Sequence, residues 1–215
     1  MDSEMEALAD IAYGLFESFL NKELNGRKTP LFQLVEGRED FQGLFITLFR
    51  QFREIQPEVT KHLETRFPSP DDMYRLILHG EGIVPSETVL TQWVVQDAPE
   101  TGINAIDSIQ AGKWLIFVQP DLVDNIWFRI RDMTWRGELG ISSKASTAKP
   151  NPDSRDERRV IYVYTADWED EPDVMRIREQ LRACGVEERI GYKRNIETQK
   201  GEYAAKGKKV TFYSA

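Results

Sequence analysis

The sequence predicts an α+β fold, with helices on one face of a curved, mainly antiparallel sheet and a helical extension in front of it. Two observations carry that prediction. Apolar residues recur at helical spacing through roughly the first hundred positions, and from Gly112 onward short apolar or alternating runs are interleaved with helical segments. The boundary between the two styles falls near residue 90, which predicts a helical extension over 1–89 and an α+β domain over 90–215.

In the extension, "MEALADIAYGLFESFLNKEL" and "FQGLFITLFRQFREI" read as amphipathic helices. Phe41, Leu44, Phe45, Leu48, Phe49 and Phe52 fall on one stripe of the second, a face more often packed inward than offered to a partner. Ser69 followed by Pro70, Asp71 and Asp72 has the pattern of a helix N-cap with proline at the first helical position. In the α+β part, "TQWVVQDA", "KWLIFV", "RVIYVYTA", "RIGYKRN" and "KKVTFYSA" read as strands, and "DLVDNIWFRIRDMTWRGEL" and "EDEPDVMRIREQLRACGV" as helices, the latter stopped by Gly185. The segment "TAKPNPDSRDERR" is rich in turn-forming and charged residues and reads as an exposed connection.

Composition excludes several classes. No apolar run is long enough to span a bilayer and the N-terminus is acidic, so a cytoplasmic protein without membrane association is expected. Cys184 stands alone, which fits a buried thiol in a reducing compartment, and two histidines with one cysteine do not make a usual zinc ligand set. No cofactor is expected. Charge is uneven: residues 1–111 carry a net −10 and residues 112–215 a net +2, so a basic cluster in the second half is compatible with an acidic whole.

No glycine-rich phosphate loop, nucleophile elbow or metal-binding histidine pair is present in the sequence. What draws attention is "GISSKAST", where Lys144 has only small or apolar neighbours. Small neighbours leave room for a ligand and allow partial desolvation, which lowers the pKa of an amine. Other lysines and tyrosines of the second half are candidates to converge with it: Lys113, Tyr162, Tyr164, Lys193, Arg194 and Lys209. All five tryptophans follow residue 90. Trp93, Trp114 and Trp127 sit in core-like patterns, whereas Trp135 and Trp168 lie near loop starts and could form a stacking surface.

The blocks "GKWLIFV", "GELGISSKAST", "VIYVYTADWEDEPDVMRIREQLRACGV", "GYKRN" and "KKVTFYS" resemble those of the phosphothreonine lyase domain-containing family, over roughly residues 90–215. That resemblance implies a fold like translation initiation factor 4E, the messenger-RNA cap-binding protein. It also implies a lyase test. β-Elimination of phosphate needs a base for the α-proton, an acid for the leaving group and cations around the phosphate. Lys144 would match the base, but the acid histidine of the Lys-Phe-His-Ile strand is replaced by Leu115 in Lys113-Trp114-Leu115-Ile116. Leucine transfers no proton.

The expectation is therefore binding of a phosphorylated or anionic ligand in a lysine-centred pocket, with a small molecule, a nucleotide, a phosphopeptide or an RNA end as candidate partners. Two alternatives stand beside it. One is lyase-like elimination with Lys144 as catalytic base, and the other is a protein-interaction module using the acidic N-terminal helices.

Overall fold

The computed structural model describes residues 3–102, 105–152, 157–199 and 211–215. It divides into two compact units: residues 1–94 with 147–152, and residues 95–146 with 153–215.

The first unit is helical, with α1 (Ser3–Gly26), α2 (Leu31–Glu36), α3 (Gln42–Ile55), α4 (Pro57–Arg66) and α5 (Pro70–Leu78). The aromatic stripe of α3 packs inward: Phe45, Leu48, Phe49 and Phe52 are all buried. Phe16 of α1 meets Phe45, Phe49 and Phe52 edge to face at 5.4–5.5 Å, so one ring on α1 organises a whole helix face. Each such buried ring contributes about 1.5–3 kcal/mol by removal from water. Ser69 caps α5 as the sequence predicts, accepting from the Asp71 N–H while Asp72 accepts from the Ser69 N–H in return.

Residues 147–152 are stitched to this helical unit by main-chain bonds. The Thr147 N–H donates to the Gln92 carbonyl and the Ala148 N–H to the Pro85 carbonyl. Lys149 then reaches Asp10 at 2.8 Å and the Leu90 carbonyl at 2.7 Å, and Asp10 also pairs with Arg66. At the outer surface α1 exposes Met5, Leu8, Ile11 and Leu15. No helix among the described residues is long and apolar enough to cross a membrane.

The sheet comprises β1 (Trp93–Asp97), β2 (Gly112–Val118), β3 (Ser142–Ser146), β4 (Arg159–Thr165), β5 (Gly191–Arg194) and β6 (Tyr213–Ser214), in the spatial order β1-β3-β4-β2-β5-β6. The pairings of β3 with β4, β4 with β2, β2 with β5 and β5 with β6 are all antiparallel. The α+β architecture predicted from the sequence is the one observed. One element differs: "SSKAS" is a strand inside the sheet, where the sequence reads only as a variable segment. Serine and alanine are weak strand formers, and pairing with neighbours overrides that preference.

Two helices, α6 (Val123–Trp135) and α7 (Glu171–Ala183), cover one face of the sheet. The Trp114 indole N–H donates to the Val174 carbonyl of α7 at 3.1 Å, and Thr134 of α6 bonds Ser143 of β3 at 2.9 Å. Small residues at Ser143 and Ala145 are thus what lets α6 approach. Trp114, Ile116, Ile161, Val163 and Tyr192 are fully buried on this face, and Trp127 of α6 is buried with them. Cys184, just after α7, is buried and lies against the Met133 sulfur at 3.1 Å. Side chains alternate along a strand, so the residues between these point to the opposite face.

Candidate functional site

On the face opposite α6 and α7 the register gathers Lys113, Lys144, Lys193, Tyr162 and Tyr164. Lys113 lies directly across from Tyr164 on one side and from Lys193 on the other. Lys144 lies across from Tyr162. Paired residues in neighbouring strands share a face, so three lysines and two tyrosines from four adjacent strands form one patch.

Two glycines set this register. A Cβ on Gly112 would stand 2.1 Å from the Tyr192 hydroxyl, which bonds the Thr165 hydroxyl at 2.6 Å. Only glycine lets β5 close on β2 there, and that closure puts Lys193 beside Lys113. A Cβ on Gly140 would stand 1.8 Å from the Tyr164 carbonyl, which instead accepts from the Ile141 N–H at 2.9 Å. That bond starts β3 along β4 and fixes the position of Lys144. On the lysine face its strand neighbours are Ser142 and Ser146, so small residues flank the amine on one face and admit α6 on the other.

The site is partly dry. Lys113 is 9% exposed and Lys193 6%, while Tyr164 and Ser142 are buried and Tyr162 and Lys144 are half-buried. The Lys113 ammonium lies 5.7 Å from the centre of the Tyr162 ring and 5.1 Å from that of Tyr164. The Lys144 ammonium lies 5.5 and 5.8 Å from the same two rings. The two ammoniums therefore share one pair of aromatic faces, whose quadrupoles favour a cation within about 6 Å. Lys113 also donates to the Asn195 side-chain oxygen at 3.1 Å. Asn195 is itself held by the Ile106 and Ser108 carbonyls, at 2.6 and 3.0 Å.

The electrostatics follow from this crowding. Burial, then the Lys144 and Lys193 charges, push the Lys113 amine down to about 8, against a smaller opposing effect of Asp107. Burial lowers Lys144 as well, with Asp107 opposing. Burial raises the Tyr164 phenol above its ordinary value, helped by Tyr162 and Asp107, so that phenol stays protonated. Asp107 sits in a single 3-10 turn (Ala105–Asp107), and it is the carboxylate whose field reaches both Lys113 and Lys144.

The other expected site residues lie elsewhere. Arg194 follows Lys193 in β5 and so points to the opposite face. There its guanidinium lies 4.6 Å from the Trp168 ring and 4.0 Å from the Phe212 ring, and it pairs with Glu197. Trp168 thus stacks on Arg194, not beside the lysines. Trp135 ends α6, on the helix-covered side. Lys209 lies outside the described residues. Asn195 and Asp107, which the structure adds to the group, carry no local signature; only the adjacency of Asn195 to "GYKR" hints at it. Among the described residues no cluster of three or more His, Cys, Asp or Glu is placed to hold a metal ion.

A family model described as basophilic leukemia-expressed protein Bles03 matches residues 48–199. The chain belongs to the Bles03 family. Its match spans part of the helical unit together with β1 to β5 and the whole lysine patch. Solved structures similar to this Bles03-family chain include three of initiation factor 4E. A schistosome eIF4E complexed with m7GpppA and 4E-BP aligns at 15% identity and TM-score 0.38, covering 49% of this chain and 59% of that one. C. elegans eIF4E-3 with the 4E-binding protein Mextli and a cap analogue aligns at 14% identity and TM-score 0.37, over 51% of this chain and 60% of that one. Ascaris suum eIF4E-3 with m2,2,7G cap aligns at 19% identity and TM-score 0.32, over 40% of this chain and 52% of that one. This chain thus spans well under two thirds of the length of each.

Proposed function

We propose that the Bles03-family chain recognises a phosphorylated or otherwise anionic ligand at the patch formed by Lys113, Lys144 and Lys193. One observation carries this reading: three ammoniums from three strands are gathered on one partly dry face, where burial first, and then the Lys144 and Lys193 charges, lower the pKa of Lys113 to about 8. Like charges held together in a desolvated place cost stability, and a bound anion would relieve that cost. Lysine acts on phosphate as a compact point charge, and three such charges suit the three terminal oxygens of a tetrahedral phosphate, with a charge of about −2 at neutral pH, better than a planar carboxylate. Tyr162 and Tyr164 provide the floor, and the protonated Tyr164 hydroxyl is a hydrogen-bond donor on the same patch. Asn195 orients the Lys113 amine.

The test is calorimetric titration of inorganic pyrophosphate into the wild type and into Lys113→Met, Lys144→Met and Lys193→Met, with circular dichroism to confirm folding. Binding by the wild type that weakens at least tenfold in each variant supports the reading. No binding by the wild type, or binding indifferent to all three substitutions, overturns it.

The lyase alternative has one specific support, the downward shift of the Lys113 amine to about 8 and of Lys144 in the same direction, since an amine that releases its proton more readily is a better-placed base. Against it, Leu115 points onto the same face beside Tyr162, at the position where the resemblance calls for an acid. Tyr162 or Tyr164 would have to protonate the leaving phosphate. Incubation with a phosphothreonine peptide separates the readings: a mass loss of about 98 Da, that of expelled phosphoric acid, abolished in Lys144→Met and Lys113→Met, would establish elimination. An unchanged peptide leaves binding alone.

A further inference from the structure

We infer that the ligand of the lysine patch is an organic phosphate with a planar apolar body, and that this body lies in the cleft adjoining the patch on the same face of the sheet. The inference rests on the anion reading above and adds what is attached to the anion. Along β2 the residues on the lysine face are Lys113, Leu115 and Phe117, successive positions about 7 Å apart in a strand. Opposite Leu115, β5 carries Gly191, where the Thr211 side chain comes within 3.2 Å of the place a Cβ would take.

The ladder of β2 with β5 ends at that pair, and beyond it lies a half-open cleft of about 590 Å³, lined from the lysine face by Leu115 and Phe117 and also by Leu122, Ile190 and Thr211. Lys193 also lines it, and Lys193 pairs with Lys113, so cleft and patch share a residue and adjoin. The volume is within the range of about 300–1,000 Å³ typical of small-molecule sites.

The cleft has the character such a ligand requires. Its floor is apolar, and Phe117 and Leu122 keep 44% and 48% of their surface exposed beside the partly dry cationic patch. Its rim is mainly basic. The Arg158 guanidinium lies 5.2 Å from the Phe117 ring centre, and Arg189 lines the wall while donating to the Ser214 hydroxyl, with Glu188 as the acidic side chain of the lining. A guanidinium over a ring is a platform for flat groups, which stack on either partner. A flexible acyl chain would call for an enclosed tube; a half-open cleft with a stacking floor suits a plate. The body then lies about 7 Å from the phosphate, one strand repeat away.

Titration with 2-naphthyl phosphate, hexyl phosphate and inorganic phosphate tests this on the full chain. The expected result is that 2-naphthyl phosphate binds at least tenfold more tightly than inorganic phosphate and severalfold more tightly than hexyl phosphate. Phe117→Ala and Leu122→Ala should each remove most of that advantage while leaving inorganic phosphate within twofold. Both positions are exposed enough to change without unfolding, and thermal melts verify this. Equal binding of naphthyl and inorganic phosphate, or an advantage untouched by both variants, overturns the cleft assignment and leaves the lysine reading standing. Hexyl phosphate binding as tightly as naphthyl phosphate overturns the planar body. If none of the three binds, the lysine reading fails and this inference fails with it.

Discussion

The two faces of the sheet treat buried positive charge in opposite ways. On the helix-covered side Arg178 of α7 is completely buried, and its guanidinium donates to the carbonyls of Val186 at 2.8 Å, Glu188 at 2.6 Å and Ala215 at 3.1 Å. Main-chain oxygens replace the lost water, and the charge becomes a clasp holding the chain end against α7. On the other side Lys113 donates to Asn195 but faces two further lysines whose charges oppose its own. The same fold thus satisfies one buried cation with three carbonyls and crowds another with its like. On the proposed reading, a bound anion would recover the stability that this crowding costs.

A third treatment appears in the helical unit. Glu17 is buried near Glu81, and burial, with Glu81 adding to it and a Thr91 hydrogen bond opposing, raises its carboxyl to about 8. Glu81 accepts from the Val89 and Leu90 N–H groups at 3.0 and 3.1 Å, so it is the better supported of the two acids. Glu17 escapes the cost of burial by holding its proton.

These contrasts predict effects of different size and sign. Arg178→Met leaves three carbonyls without their donor and should destabilise by about 3–5 kcal/mol in urea unfolding; a loss below about 1 kcal/mol would break the comparison at its satisfied end. Lys113→Met should act in the opposite sense, raising stability by about 1–2 kcal/mol at pH 7 after allowance for the lost Asn195 bond. Its sign with pH is definite. The folded pKa lies below the unfolded one, so the wild type carries the full penalty below pH 8 and sheds it as pH rises toward 10.5. The advantage of the variant should shrink over that window.

Glu17 supplies the mirror case. Its folded pKa lies above the unfolded value of 4.5, so its favourable contribution is complete below that pH and is lost as pH rises through 8. Glu17→Gln should therefore be nearly neutral at pH 5 and stabilise by about 1–2 kcal/mol at pH 9, read from melts at both pH values. The smallest effect belongs to exposed pairs such as Lys61 with Glu58, where Glu58→Gln should change stability by less than about 0.5 kcal/mol.

Much of the scaffold was legible because apolar spacing alone separates these helices from these strands. The Ser69 cap and the buried α3 stripe follow from local chemistry that the tertiary fold does not alter. Strand β3 was not legible, since "SSKAS" owes its conformation to partners on both sides and its small residues to the approach of α6. The oddity of Lys144 could be read from those small neighbours, but their cause could not. Lys193 and Arg194 show a limit that strand geometry itself imposes: adjacent residues point to opposite faces, so both could not converge on one anion. Asp107 and Asn195 were invisible because a single 3-10 turn and the end of β5 bring them in from distant parts of the chain.

On the proposed reading, burial and the neighbouring lysines hold the Lys113 pKa down until an anion binds. The most direct measurement is an NMR titration of the lysine ε-methylene groups, with Lys113 assigned through Lys113→Met, in the absence and presence of saturating pyrophosphate. The expected result is a Lys113 pKa near 8 in the free protein, moving up by at least one unit on binding, because the anion favours the charged amine. An ordinary value above 10 in the free protein, or a value that pyrophosphate leaves unmoved, would contradict it.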